Sequence, residues 1–300
     1  MKLFNMQKIL SRRKTIKIFA SAIASIPINA FGNKNLYNYY WQSTALGNPV
    51  DMQIITKDDN HLKKLLLLIN SEIHRFNKIF YLQDASSQIN LLNKNKVLIK
   101  PQIELINAVY LSEKFYQLSK GSFDITIQPL WNSYSTGRNI NLEGIGFNNI
   151  DISSKKINLL NKYSEITLNS LAQGILTDRI HDILLNSGIK NHLINFGEGR
   201  ACGITPLKNK WNLYLNNKYI NITNKGFSIS ESDSTILPNN KSHLFNANIF
   251  DSALNLPRKT TVIAQTAALA DGLSTVYAVS DKNVRKKLLT KFFDVQFIIS

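Results

Sequence analysis

Cysteine is almost absent from this 300-residue chain, which contains Cys202 and no other. No disulfide can therefore form within one chain, and no cluster of thiolate ligands is available for a metal ion. No run of apolar residues reaches the ~20 positions that a membrane-spanning helix needs. A hydrophobic fraction of 44% in a chain of this length is enough to bury a sizeable core, as one large domain or two closely packed halves.

Acidic residues are also scarce, with 20 Asp and Glu against 36 Lys and Arg, and the formal net charge is +16. Such an excess suits an anionic ligand or a nucleic acid. The lysines are dispersed among Asn and Ile, however, and no recognition motif for nucleic acid accompanies them. We therefore expect no nucleic-acid partner and attribute the charge mainly to compositional bias. A basic nucleic-acid-binding protein is the weakest of three hypotheses, and a weak, salt-insensitive interaction with DNA would dispose of it.

Residues 1–30 have the layout of an export signal. Basic residues without any acid precede a short apolar run at 18–28, and Ala30 provides a cleavage position. Ser11-Arg12-Arg13-Lys14 resembles a twin-arginine signal, which the twin-arginine export machinery reads as an address. An amphipathic helix on a membrane surface is the alternative, but here the charges precede the apolar run instead of alternating with it. We expect a periplasmic domain over residues 31–300, held at the membrane if the signal is not cleaved.

The hydrophobic pattern predicts several strands and helices after the signal. Strands are expected in two halves of 39–56 around Gly47-Asn48-Pro49 and over 97–99, 123–128, 166–168, 192–196, 260–263 and 295–299, with a three-stranded meander over 211–230. Helices are expected after a cap at Asn60, from Pro101 with Tyr110 facing inward, from Asn169-Ser170 to Gly188, after residue 263 and over 281–289. Residues 84–93 are polar and indicate a loop.

Asp271 and Thr275 are the polar residues of greatest interest, because they lie four residues apart on the helix predicted after residue 263. That spacing stacks their side chains on one helix face. A carboxylate and a hydroxyl are hard oxygen ligands, which Mg²⁺ accepts when substrate phosphates and water complete its coordination. The alternative is that Asp271 is a solvated surface acid and that the Thr275 hydroxyl bonds to the backbone of its own helix. This alternative is favoured if the two residues are considered alone.

Two other segments carry polar residues in a suggestive pattern. Asp124 lies in the alternating stretch GSFDITIQPLW, where spacing alone indicates a solvated acid at a strand end. Residues 166–200 predict a strand, a helix and a strand as a crossover unit, whose helix start can hold a phosphate. Gly197 and Gly199 permit close approach of a ligand or form a plain turn. We expect His181 at the surface and His192 in a strand, with no metal-ligand spacing between them.

In chain order, the segments ALG, SFDITIQPLW, TLNSLAQG, NFGEGR, SHLF and TVIAQTAALADGLST resemble the ApbE family of FAD:protein FMN transferases, from about Trp41 to the C-terminus. The chain is most similar to the periplasmic branch with twin-arginine signals, in which Ala-Gln-Gly replaces Ala-Lys-Gly, as at Gln173. The resemblance implies a single α+β unit with two sheets and packed helices, and an FAD site between its halves.

The resemblance also implies an activity. Such enzymes use Mg²⁺ to transfer FMN from FAD to a threonine hydroxyl of an exported redox protein, and they release AMP. The metal ligands then fall on Asp271, Thr275 and the backbone carbonyl of Ala172, and the general base falls on His243. The flavin-binding positions fall on Asp124, Thr126, Asn195, Gly197, Glu198, Arg200 and Ser230.

The chain departs from the family pattern after His243, where Asn246 and Ala247 replace the usual Asp-Pro. A second alignment register places Asn248 on the histidine and leaves no catalytic histidine, but the distance to the next strand favours the first register. Glu231 replaces a usual glycine and adds negative charge near the phosphates. The alternative function is therefore an exported FAD-binding or FAD-cleaving protein that has lost transfer activity.

Overall fold

The computed structural model describes residues 37–137, 141–215, 218–253 and 257–300. The export signal predicted at residues 1–30, and the start of the domain at residue 31, lie outside the described residues. Within those four ranges, no helix combines the length and the apolar character that crossing a membrane requires.

Helices account for much of the described chain. They are α1 (Asp59–Phe80), α2 (Gln88–Asn95), α3 (Ile103–Leu118), α4 (Gln128–Thr136), α5 (Ala172–Asn186), α6 (Ala267–Val279) and α7 (Lys282–Lys291). The apolar stripe predicted on α1 is buried, but the cap is Asp58 and not Asn60, because the Asp58 carboxylate accepts a hydrogen bond from the His61 amide at 2.9 Å. Tyr110 was expected inside and is 41% exposed, so that prediction is wrong.

The strands occur in the following order along the chain. They are β1 (Tyr37–Ala45), β2 (Asn48–Thr56), β3 (Val97–Ile99), β4 (Ile150–Ile152), β5 (Lys156–Leu159), β6 (Asn191–Asn195), β7 (Gly199–Cys202), β8 (Trp211–Leu215), β9 (Lys218–Ile222), β10 (Lys225–Glu231), β11 (Ile236–Leu237), β12 (Lys241–Ser242), β13 (Phe245–Asn246), β14 (Asp251–Ser252), β15 (Lys259–Ala264) and β16 (Gln296–Ile299).

A seven-stranded sheet organises the molecule, with strand order β1-β2-β6-β7-β10-β15-β16. All neighbours in it are antiparallel. The other strands form one three-stranded sheet, β3-β5-β4, and three two-stranded sheets, β8-β9, β11-β12 and β13-β14. The α+β class is confirmed, whereas the prediction of two sheets is wrong for the described residues, since the loop segments pair into small sheets of their own. The predicted meander is also broken, because β10 leaves β9 and joins the large sheet.

Alternation along the central strands separates two hydrophobic layers. Successive residues point to opposite faces of a sheet. Thus Ile54 and Ile194 pack into the main core with the helices, whereas their neighbours Ile55 and Leu193 pack on the other face against Trp211 of the β8-β9 hairpin. The large sheet is therefore covered by helices on one face and by a small hairpin on the other.

Three segments differ from their predicted structure because polar side chains form hydrogen bonds with backbone groups. Residues 84–93 include the start of α2, which Ser87 caps. Residues 166–168 form no strand: the buried Asn93 side chain accepts from the Ile166 amide at 2.7 Å and donates to its carbonyl oxygen at 2.9 Å. The predicted crossover unit is therefore absent. Residues 123–128 are not a strand either, because Asp124 caps a short 3₁₀ turn at Ile125–Ile127.

His181 was expected at the surface and is instead buried between α5 and the sheet. Its ring contacts His192 of β6, with 2.9 Å between His181 Nδ1 and His192 Nε2. The strand position of His192 is confirmed.

Candidate functional site

The site begins at the step from β15 into α6, which confirms the strand and helix predicted around residue 263. Thr266 caps α6, and its hydroxyl accepts from the Leu269 amide at 3.1 Å. Asp178 of α5 accepts from the next two amides, Ala267 N at 2.8 Å and Ala268 N at 2.9 Å. Because these amides have no partner within the helix, the carboxylate stabilises the start of α6.

The other end of α6 is also held by a charged side chain. The Arg285 guanidinium of α7 donates to the Tyr277 carbonyl oxygen at 2.9 Å and to the Ala278 carbonyl oxygen at 2.8 Å. Carbonyls in the last turn of a helix lack partners of their own, and a cation there interacts favourably with the helix dipole. The helix that carries Asp271 and Thr275 is thus fixed at both termini.

Gly174 sets the distance between α5 and α6. A Cβ atom at this position would lie only 2.7 Å from the Ala268 Cα atom. The absent side chain lets the two helix starts approach closely, so that Ala172, the first residue of α5, and Gln173 lie beside the start of α6. The sequence motif Leu-Ala-Gln-Gly therefore has a packing reason for its glycine.

A cleft runs between the start of α5, the face of α6 that carries Asp271 and Thr275, the β6-β7 turn and the segment from β10 to β13. Seven of the predicted site residues line it, together with Gln173 and Glu231; the seven are Asp124, Gly197, Glu198, Ser230, His243, Asp271 and Thr275. Phe123, Trp131 and Phe245 contribute apolar surface.

Three predicted binding residues lie behind the cleft wall and not on it. Thr126 donates to the Asp124 carboxylate at 2.7 Å, Asn195 donates to the Asp51 carboxylate at 2.8 Å, and Arg200 donates to Asp178 at 2.7 Å. Their placement suits support of the residues that line the cleft. Direct contact of these three with a flavin nucleotide stays a prediction.

A hydroxyl cluster joins α6 to β10 on the cleft wall. Ser230 Oγ lies 2.7 Å from Ser274 Oγ and 3.4 Å from Thr275 Oγ1. Ser274 Oγ is also 3.2 Å from Ser228 Oγ, and it donates to the Asp271 carbonyl oxygen at 2.9 Å. The sequence analysis missed Ser228 and Ser274. A signal was present, because residues 228 and 230 share one strand face and residue 274 stands between the two proposed ligands on the helix.

His243 is buried on the cleft wall between β12 and β13. Its Nδ1 lies 3.1 Å from the Thr235 carbonyl oxygen, which also accepts from the His243 backbone amide at 3.2 Å. Since a carbonyl oxygen can only accept, Nδ1 carries the proton, and the lone pair of the neutral ring is on Nε2. Asn248 is exposed and does not line the cleft, as it donates to the Lys120 carbonyl oxygen and to Ser122 Oγ.

The departures from the family pattern have structural partners in this chain. Asn246 donates to the Val279 carbonyl oxygen at 3.0 Å, which ties the β13-β14 hairpin to the end of α6. Glu231 forms an ion pair with Lys259 on the neighbouring strand at 3.3 Å, and each side chain is 14% exposed. The negative charge expected from Glu231 is therefore compensated within the protein.

Burial dominates the electrostatics of the cleft acids. It raises the pKa of Asp124 to about 6, although hydrogen bonds from the Thr126 side chain and amide act in the opposite direction. Burial also raises the pKa of Asp178, against the lowering effect of the Ala268 amide and of Arg200. Asp124 is thus an acid that titrates close to neutral pH inside the cleft.

The donors around α6 fit a small hard cation. Asp271 offers a carboxylate and Thr275 a hydroxyl on the cleft wall, beside space for water and for ligand oxygens. Ala172 is buried and is not among the residues that line the cleft, so its carbonyl as third ligand stays a prediction. Mg²⁺ prefers a site with few protein oxygens and with space for water molecules and phosphate oxygens. Ca²⁺, in contrast, takes more oxygen ligands from the protein. Oxygen donors for a cation, next to a histidine of fixed tautomer, suit chemistry at a phosphate group.

Comparison with known proteins agrees with this assignment of the fold. The ApbE family model matches residues 46–299, and the chain therefore belongs to the ApbE family, as its resemblance indicated. No curated protein sequence matches the chain.

Three solved structures illustrate the similarity. The flavin transferase ApbE from Vibrio cholerae has a TM-score of 0.75 and 16% identity, over 88% of this chain and 97% of that one. The apo form of the Pseudomonas stutzeri flavinyl transferase ApbE has a TM-score of 0.79 and 17% identity, over 90% and 95%. The ApbE protein from Thermotoga maritima has a TM-score of 0.75 and 19% identity, over 87% and 94%. At these identities, the likeness establishes a shared fold.

Proposed function

We propose that this protein transfers FMN from FAD to a threonine hydroxyl of an exported electron-transfer protein, with Mg²⁺ as cofactor and AMP as the second product. The observation that carries the proposal is the convergence of Asp271, Thr275 and His243 on one cleft. These residues come from α6 and from a loop that is remote in sequence, yet they border the same space. Membership of the ApbE family supports flavin transfer as the kind of reaction.

The chemistry follows from the positions of these groups. The acceptor hydroxyl oxygen forms a bond to the phosphorus of the FMN half, and the bond from that phosphorus to the bridging oxygen breaks, so that AMP leaves with that oxygen. His243 Nε2 takes the hydroxyl proton, since its Nδ1 is committed to the Thr235 carbonyl. Asp271, Thr275 and Ala172 would hold Mg²⁺, which would neutralise charge on the diphosphate.

The remaining predicted residues bind the nucleotide in this proposal. Glu198, Gly197 and Ser230 line the cleft directly. Gly197 has a φ of 101°, a conformation that only glycine adopts without strain, and it turns the chain between β6 and β7 at the cleft edge. Asp124 contacts FAD, and the protonation state of its carboxyl group depends on pH.

Loss of transfer with retention of FAD binding or cleavage is the second candidate. It is favoured by Asn246 and Ala247, which cannot supply the carboxylate that the family has after its histidine. If Asn246 only ties its hairpin to α6, transfer survives this departure. If a carboxylate is needed there, Asn246→Asp raises transfer activity.

The test is a flavinylation assay. The chain is incubated with FAD, Mg²⁺ and an exported flavin-subunit domain that carries an acceptor threonine, and mass spectrometry measures the FMN adduct. We expect an adduct with the wild type, its loss with Asp271→Ala, and a rate lowered roughly 10²–10⁴-fold by His243→Ala. The exposed residues Asp182 and His74 provide matched controls, Asp182→Ala and His74→Ala, which should retain the wild-type rate.

Each outcome separates the two candidates. Bound FAD, or AMP and free FMN without an adduct on several acceptors, establishes binding or hydrolysis in place of transfer. A full rate with His243→Ala refutes the assigned base. Chelation of divalent cations should stop the reaction, and its persistence in chelator refutes the Mg²⁺ assignment.

We also propose export by the twin-arginine machinery to the periplasm, on the strength of residues 11–14 and the apolar run that follows. Fractionation of cells that express the chain tests this. Replacement of Arg12 and Arg13 by Lys should leave the protein in the cytoplasm, and an unchanged distribution contradicts the proposal.

A further inference from the structure

A second cluster of chemically active side chains lies outside the cleft. His181 of α5, His192 of β6 and Cys202 of β7 each offer one ligand atom, and these three atoms lie within 4.8 Å of one another. The residues are 6%, 0% and 7% exposed. They are 10 to 21 positions apart in sequence, so no local spacing reveals them; His192 and Cys202 meet as direct partners in the β6-β7 ladder.

Hydrogen bonds fix the orientation of the His192 ring. His192 Nδ1 donates to the Ile189 carbonyl oxygen at 3.1 Å, which fixes the tautomer and leaves the lone pair on Nε2. That Nε2 accepts a hydrogen bond from His181 Nδ1 at 2.9 Å, so a metal ion would replace this hydrogen bond and the neutral His181 ring would then carry its proton on Nε2. A backbone carbonyl behind one ring nitrogen commonly orients the other nitrogen toward a metal. Burial lowers the pKa of His181 to about 4 and of His192 to about 3, so both rings are neutral at physiological pH.

We propose that His181, His192 and Cys202 bind one thiophilic transition-metal ion, and that Cu(I) is the ion that suits them best. Two imidazoles and one thiolate are soft or borderline ligands, which select copper or zinc over Mg²⁺ or Ca²⁺. On binding, the Cys202 sulfur forms a bond to the metal and the thiol proton leaves to solvent.

The surroundings favour a monovalent ion of low coordination number. The cluster contains three ligands, and within the described residues no carboxylate belongs to it. Cu(I) with one thiolate has no net charge, whereas a structural Zn²⁺ site normally has four ligands.

This site is separate from the cleft. His192 and Cys202 pair at the open end of the β6-β7 hairpin, whereas Asn195 and Gly199 pair beside the turn that reaches the cleft. The two pairs are three ladder positions apart, or about 10 Å at the usual rise of a strand. A metal ion at the open end would tie the β6-β7 hairpin to α5. The proposed metal site does not depend on the proposed flavin transfer.

The test is a titration of the reduced full chain with Cu(I) under anaerobic conditions, against a colorimetric Cu(I) chelator as competitor. We expect one Cu(I) per chain, and X-ray absorption of the loaded wild type with one sulfur and two nitrogen neighbours. Cys202→Ser and His181→Gln should each weaken binding at least about 100-fold, beyond the effect typical of residues behind the ligands. His74→Gln, on the exposed face of α1, is the control and should bind as the wild type does.

The proposal fails if the wild type binds no Cu(I), in which case the histidines form only a buried hydrogen-bonded pair. It also fails if both ligand variants retain wild-type affinity while their circular dichroism shows that they are folded. X-ray absorption on the wild type tests the ligand set even if a variant does not fold. A parallel titration with Zn²⁺ tests the choice of ion, and tighter binding of Zn²⁺ with the same ligands overturns the assignment of Cu(I).

Discussion

Replacement of Asp124 by Asn should make the protein more stable at neutral pH but not in acid. Burial raises the pKa of this carboxyl from 3.8 to about 6 in the folded protein. A group whose folded pKa is raised favours the folded state below its unfolded pKa, and this contribution is lost as the pH rises through the folded pKa. The pKa difference of about 2 corresponds to about 3 kcal/mol.

The Asn side chain keeps an oxygen that can accept from the Thr126 amide and hydroxyl, as the Asp124 carboxylate does at 2.8 and 2.7 Å. The variant therefore removes the charge while it preserves the turn. We expect the free energy of unfolding of Asp124→Asn, relative to the wild type, to rise by about 3 kcal/mol between pH 3.5 and pH 7.

The assay is urea unfolding of both proteins at several pH values, without FAD or divalent cations. The titration of all other groups cancels when the free energy of unfolding of the wild type is subtracted from that of the variant at each pH. Asp182→Asn removes a negative charge from the exposed face of α5 and controls for net charge. A stability difference that is constant across this range, or that falls as the pH rises, refutes the assignment of a raised pKa to Asp124.

Three further perturbations test the packing and charge of the site. Gly174→Ala should lower the free energy of unfolding by about 1–3 kcal/mol, because the added methyl group meets Ala268; thermal unfolding measures this, and an unchanged midpoint contradicts the close contact. Asp178→Ala should lower the free energy of unfolding by about 1–2 kcal/mol, because it removes the acceptor of the Ala267 and Ala268 amides at the start of α6; chemical unfolding tests it, and a neutral effect refutes the capping role. Lys259→Met should raise the KM for FAD, because Glu231 is left with an uncompensated charge in the cleft, and adding Glu231→Gln should restore it; an additive double variant argues against the pair.

Local pattern was enough to predict the central element of the site. Asp271 and Thr275 lie on one helix face because a helix repeats every 3.6 residues, and this repeat is visible in the sequence itself. The strand before them, the apolar stripe of α1 and the alternation of the central strands are of the same kind. Each of these features depends only on residues that are close together in the sequence.

Hydrogen bonds of side chains to the backbone and contacts between distant residues explain what the sequence did not reveal. The alternation of residues 123–128 mimics a strand, yet the Asp124 carboxylate accepts from the Thr126 amide and holds the chain in a turn. Asn93 takes the hydrogen bonds that a strand partner would give Ile166, across 73 positions. Asp178 is recognisable as the support of α6 only after folding brings α5 beside it. Charge pairs and side-chain caps of this type have no fixed spacing, so periodicity cannot predict them.

The hydrogen bonds at both ends of α6 have a consequence for the proposed reaction, because they orient its side chains before a substrate binds. Asp178 holds the first amides of the helix, and Arg285 holds its last carbonyls, so in the proposed transfer the protein itself, and not the nucleotide, would orient Asp271 and Thr275. The reorganisation that would otherwise accompany each turnover is then completed once, during folding. A preoriented dipolar environment lowers an activation barrier without having to rearrange as charge develops. The rigidity of this helix is therefore a kinetic property as much as a structural one.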